Sequence, residues 1–240
     1  MASVTAADAS GTRATLDEFV RVVEANGRLV TVCNFMKFRW MFEPPNGVFP
    51  RFQRLLEAGL IFIDDDPMNA LRVQAEEATL PRCSRDITFA ALSIEDRGIR
   101  HYGNFVIVWN LDQVAHRTSL FVANCVTWRL DRGMTMTEPT PLGFRAVWEH
   151  RGRLAAAKHG EEITQRTTPA EFSQILMADS ASPDDGKDIF IEGHIWGQLS
   201  RGSVAKLIRL RREESIGDNV NAAKIARALK SVGLDVEGFP

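Results

Sequence analysis

The stretch Gly103 to Asn110 reads GNFVIVWN, and no other feature narrows the possible folds of this chain as much. Its β-branched and aromatic side chains fill a pleated surface well and have few rotamers to lose there, which predicts a strand. Three other runs share this character: Arg28 to Phe35 (RLVTVCNF), Ser119 to Trp128 (SLFVANCVTW) and Ile189 to Trp196 (IFIEGHIW). The runs at 103–110 and 119–128 come close together in the chain, so they are expected to be neighbours in one sheet. Leu60 to Ile63, Lys206 to Leu210 and Leu234 to Val236 add shorter extended pieces.

Between these runs the apolar spacing turns helical. Thr15 followed by Glu18 reads as a capping box, and Leu16, Phe19, Val20 and Val23 continue at helical intervals until Gly27, predicting a helix over 16–26. Phe52, Leu55 and Leu56 mark a short helix ended by Gly59. Further helices are predicted over 67–78, 144–158, 169–177 and 219–231. Residues 81–88 show too little periodicity to assign. Gly, Pro, Met and Thr dominate 132–143, and SASPDDGKD spans 180–188, so both read as loops. Helices and strands therefore mix irregularly, as in an α+β fold: a single domain over 15–240 whose mixed or mainly antiparallel sheet is flanked by helices. Met1 to Ala14, rich in Ala, Ser and Thr, reads as a disordered lead-in.

The composition is that of an ordinary globular protein, 45% hydrophobic and 25% charged over 240 residues. A net charge of −2 gives no global attraction to nucleic acid or anionic membranes. No apolar run approaches the roughly 20 residues a membrane-spanning helix needs. A cytoplasmic location is expected. Cys33, Cys83 and Cys125 stand too far apart for a zinc site or a disulfide framework. Cys83 is set apart by its neighbours Arg82 and Arg85, since positive charge activates a thiol.

Chemistry concentrates at two places. Glu192 and His194 lie two apart in IFIEGHIW and so share one strand face, which must meet either solvent or a functional cleft. His101 and Tyr102 stand immediately before the clearest strand, where side chains can be presented to a ligand. Asp64, Asp65 and Asp66 precede Pro67 and read as helix N-terminal charges rather than metal ligands. His116, His150 and His159 sit among polar residues and are expected at the surface. Arg201, Lys206, Arg209, Arg211 and Arg212, followed by Glu213 and Glu214, read as a solvated edge strand. The chain has no Gly-rich dinucleotide fingerprint, P-loop, GxSxG elbow, HExxH or clustered Cys/His set, which disfavours the enzyme classes built on them.

Two segments carry a family resemblance. CSRDIT at 83–88 followed by HYGNFVI at 101–107 resembles the AbiGi abortive-infection proteins. IFIEGHIW, then VAKLIRL, NAAKIARALKSVG and LDVEGF resemble the C-terminal part of DarT-like ADP-ribosyltransferases. The resemblance implies an ADP-ribosyltransferase-like fold and an effector of toxin or phage-defence systems that uses NAD to modify a nucleic acid or a protein. Glu192 would then be the catalytic glutamate, and His101 and Tyr102 would help to hold NAD. The first strand of such enzymes carries a His or Arg that holds NAD. LVTVCNF has neither, so Lys37 and Arg39, just beyond it, are the candidates for that role. The alternative is a non-catalytic antitoxin or regulatory protein that keeps the fold without the NAD site, with a cognate toxin or antitoxin as its partner.

Overall fold

The computed structural model describes residues 7–8, 11–44, 47–180 and 188–239. Its centre is an eight-stranded sheet. The strands are β1 (Arg28–Cys33), β2 (Ile87–Ser93), β3 (Phe105–Trp109), β4 (Thr118–Phe121), β5 (Arg145–Val147), β6 (Glu192–Trp196), β7 (Val204–Arg209) and β8 (Asp235–Glu237). They run in the order β5-β4-β6-β2-β1-β3-β7-β8. Every pairing is antiparallel except that of β7 with β8. This is the α+β architecture with a mixed sheet that the pattern of runs predicts.

The helices are α1 (Arg13–Asn26), α2 (Phe35–Phe42), α3 (Phe52–Glu57), α4 (Pro67–Thr79), α5 (Leu111–Val114), α6 (Cys125–Asp131), α7 (Arg151–His159), α8 (Phe172–Leu176) and α9 (Ile216–Ser231). On one face of the sheet, Leu29, Phe105, Ile107, Leu120 and Ile195 form a core with Phe19 and Val23 of α1, Phe38 of α2, Leu154 of α7, Phe172 of α8 and Ala226 of α9. On the other face α4 and α6 pack together over Phe121, with Ala75, Cys125 and Trp128 buried between them. Alongside them Val30, Ala91, Val106 and Val108 are covered by Ile99, Met177 and Phe190.

Several boundaries differ from the sequence reading, each for a local reason. The run RLVTVCNF stops being a strand at Cys33 because the Asn34 side chain accepts a hydrogen bond from the Lys37 backbone N–H and starts α2. In the same way SLFVANCVTW divides at Asn124, whose side chain accepts from the backbone N–H groups of Val126 and Thr127. Beyond Asn124 the chain forms α6 instead of a strand. The strands β3 and β4 belong to one sheet but are not neighbours, since β1, β2 and β6 lie between them. Leu60 to Ile63 is no strand; Leu60, Phe62 and Ile63 are exposed. Residues 87–93, which carry no clear periodicity, form the central strand β2, and the predicted helix over 144–158 opens instead as β5. Helix α1 begins at Arg13, so Thr15 lies inside its first turn and does not cap it. Arg13 and Ala14 thus belong to a helix and not to the lead-in; residues 1–6 and 9–10 of that stretch lie outside the described residues. Asp66 caps α4, accepting from the Met68 backbone N–H at 2.8 Å ahead of Pro67, at the place where the sequence puts helix N-terminal charges.

Two polar assignments also change. The strand β7 is internal, not an edge. Its Arg209 is buried, with the guanidinium over the rings of Phe105 and Phe239 at 5.9 and 5.6 Å. His116 and His150 are exposed, but His159 is buried, packed edge-on against Phe19 with its Nδ1 2.9 Å from Glu162 Oε1. Burial pushes this imidazole down to about 4, against the pull of Glu162. No helix among the described residues is long and apolar enough to cross a membrane.

Candidate functional site

The register of β6 sets the site. Val108, Val30, Ala91, Glu192 and Phe121 lie side by side across β3, β1, β2, β6 and β4, so Glu192 stands among apolar neighbours in a row that ends in Lys206 of β7 and Arg145 of β5. The next row on that face sets His194 between Phe89 and Ser119. Gly193, between them in sequence, points to the other face, where an added Cβ would come within 2.7 Å of Leu29. Only glycine lets β6 press against that core while presenting Glu192 and His194 opposite. The solvent-exposed alternative for this face is excluded at both positions: Glu192 is 4% and His194 1% exposed.

Glu192 opens onto a cavity of about 480 Å³ between the sheet, the α4–α6 pair and the segments around residues 99–102 and 188–190. That volume is within the roughly 300–1,000 Å³ of small-molecule sites. Lys37, His101 and Tyr102 line the same cavity. Separate stretches of sequence therefore converge with Glu192. Arg39 does not join them; it is exposed on α2 and paired with Glu43. On a helix, positions two apart face different directions, so Lys37 lines the cavity while Arg39 points to solvent.

The cavity also holds groups that sequence reading did not single out. Arg72 on α4 lies with its guanidinium 4.1 Å from the Phe52 ring centroid and 5.5 Å from that of Phe89, and pairs with Glu76 one turn on. An i,i+4 pair of this kind ordinarily marks a solvated helix face, and only the docking of α4 over β2 encloses it. Burial raises the Glu76 carboxyl above its usual range, partly offset by Arg72, and the charge of Glu192 adds to the rise. Lys37 is pushed down to about 8, first by burial and then by Arg72. Cys125 lines the cavity beside Glu192; burial first, then the charges of Glu192 and Glu76, hold this thiol well above its usual value. The result is a partly open cavity with cations at Arg72 and Lys37 and carboxylates at Glu76 and Glu192, suited to a ligand carrying both charged and ring-shaped parts.

The wall beside His101 is braced internally. Its Nε2 lies 3.1 Å from the Ser180 carbonyl oxygen, Asp188 accepts from the Ser180 backbone N–H at 2.8 Å, and Asp179 accepts from that of Arg100 at 2.7 Å. His101, Asp179 and Asp188 bring one potential ligand atom each within 4.8 Å of one another. Each of the three already has a protein partner, which is how a loop is pinned. Residues 181–187 of the loop assigned to 180–188 lie outside the described residues.

Cys83 is partly exposed, while Cys33 and Cys125 are buried. Burial holds Cys33 at about 12. A thiol reagent is therefore expected to label Cys83 first, by about tenfold or more in rate, because the thiolate is the nucleophile and both other thiols are kept protonated and covered. Mass spectrometry of a labelling time course checks this; equal rates at all three cysteines would contradict it.

No protein-family model matches this chain, and comparison with curated proteins returns no match. What the fold and the cavity define is an α+β protein with two buried glutamates, Glu192 from an internal strand and Glu76 from a helix, lining one charged cavity.

Proposed function

We propose that this chain is an ADP-ribosyltransferase-like effector that takes NAD into the cavity and transfers its ADP-ribose to a macromolecule, with Glu192 as the catalytic carboxylate. The observation that carries the reading is Glu192 itself, buried at the start of a central strand and opening onto a cavity shared with His101, Tyr102 and Lys37. Cleavage of the nicotinamide bond builds positive charge on the ribose. A fixed carboxylate in a dry site stabilises that charge and can accept the proton of the incoming nucleophile. Arg72 and Lys37 are the cations available to a diphosphate, and the rings of Phe89 and Tyr102 are the flat surfaces available to a base. The chain order after Glu192 also supports the reading. β7, α9 and β8 come after β6 in the succession that the resemblance to DarT-like enzymes implies. A role in toxin–antitoxin or phage-defence systems belongs to the same proposal.

A second reading, a non-catalytic antitoxin or regulatory partner, is favoured by one observation: the first strand meets the cavity through Thr31 and Val32, with no His or Arg. NAD separates the two. A ligand that binds only the native state at about a hundred times its Kd adds ~2.7 kcal/mol, a rise in Tm of roughly 5–10 °C for a chain of this size. That rise is expected with NAD. An unchanged Tm at millimolar NAD would reject the enzyme and leave the partner protein.

A further inference from the structure

Arg145 on β5 lies outside the cavity but reaches toward Glu192 through His194. Its guanidinium donates from Nη1 to the Thr79 carbonyl at 2.7 Å, and from Nη2 to Ser119 Oγ at 3.1 Å and His194 Nδ1 at 3.2 Å. A guanidinium has donors only, so Nδ1 must be the bare, accepting nitrogen. The proton of the neutral imidazole then sits on Nε2, which lies 2.7 Å from Glu192 Oε1 and donates to it. The ring has no freedom to turn away. Phe89 meets it edge-on at 5.2 Å, and Phe121 stacks against it at 6.1 Å. Arg145 forms no ion pair with a carboxylate among the described residues, so its hydrogen bonds go to these neutral acceptors.

We propose that Arg145 is a positioning residue for Glu192: by donating to His194 Nδ1 it fixes the Nε2–H tautomer, and that proton holds one carboxylate oxygen so that the group keeps a single orientation toward the cavity. The proposal rests on Glu192 being the reactive carboxylate. Outer partners that fix a histidine's tautomer are expected to be worth roughly 10–100-fold when removed, by analogy with those of metal-bound histidines. Arg145 starts outside the cavity, in a groove it shares with Cys83, His116, Arg117 and Trp196, so substituting it leaves the cavity lining intact.

The test is histidine ¹⁵N NMR on the full chain, with the His194 resonances assigned by their loss in His194→Gln. Wild type is expected to show His194 protonated at Nε2 and bare at Nδ1. Arg145→Met removes the donor and should bring a population protonated at Nδ1, while Arg145→Lys, which restores a donor, should return most of the wild-type signal. NAD turnover should change in parallel, with kcat roughly tenfold lower or more in Arg145→Met, KM within about twofold, and recovery in Arg145→Lys. A wild-type His194 protonated at Nδ1 overturns the proposal, as does an Arg145→Met protein with unchanged spectrum and turnover. If Arg145→Met fails to fold, the wild-type and Arg145→Lys spectra still decide. If the wild-type protein turns over no NAD, the functional reading fails, and the spectra judge the Arg145–His194 link separately.

Discussion

In Glu192→Gln protein, NAD turnover is expected to fall by roughly 10²–10⁴-fold, the range that one positioned acid–base and electrostatic group contributes. The substitution keeps the volume and removes the charge. The Gln carbonyl oxygen can still accept from His194 Nε2, so the buried imidazole keeps its partner and the fold should hold, with a stability change of no more than ~1.5 kcal/mol. The pairing of the two outcomes is what isolates chemistry from structure. NAD consumption measured beside a denaturation curve provides both. Turnover that survives the change would reject Glu192 as the catalytic group, even with NAD bound next to it.

The second large effect concerns stability. Phe105→Ala is expected to cost ~3–5 kcal/mol, the range for emptying a fully buried aromatic site. Phe105 is 0% exposed and stacks on Phe38 at 4.2 Å with the rings 9° apart, while Phe35 and Phe239 lie at 6.2 and 6.0 Å. Truncation therefore opens a void shared by β3, α2 and the C-terminal segment, and those three cannot all close on it at once. Because α2 carries Lys37, NAD binding should weaken along with stability. Val147→Ala, on a half-exposed edge strand, should change stability by no more than ~0.5 kcal/mol. The midpoint and slope of urea unfolding measure both; a loss under about 1 kcal/mol for Phe105→Ala would contradict the packing described.

The parts of the fold legible in the sequence are those where one local signal dominates. FVIVW of β3 has the residue types of a strand and nothing that competes with it, and Asp66-Pro67 starts α4 by turn chemistry alone. Where two local signals compete, sequence reading fails. RLVTVCNF and SLFVANCVTW each contain an Asn that acts as a helix cap, and the apolar residues beyond it look the same in a buried helix as in a strand. Ile87 to Ser93 escapes for another reason. As the central strand it is largely buried on both faces and contains two alanines, so it lacks both the alternation and the β-branched density that announce a strand.

The site divides along the same line. The spacing of Glu192 and His194 already puts them on one strand face, and the position of His101 and Tyr102 before a strand already marks them as able to meet a ligand; Lys37 is named by the family resemblance alone. Whether that face meets water or a cavity is not in the sequence, because burial depends on what packs over β6, and α4 and α6 come from 67–79 and 125–131. The separation of Lys37 from Arg39, the enclosure of Arg72 and Glu76, and the line from Arg145 through His194 to Glu192 are decided by tertiary structure alone. Local sequence sets periodicity, caps and strand character, which act over a few residues. Which charged groups lose their water is set by contacts between segments far apart in the chain, and only the assembled sheet with its covering helices fixes those.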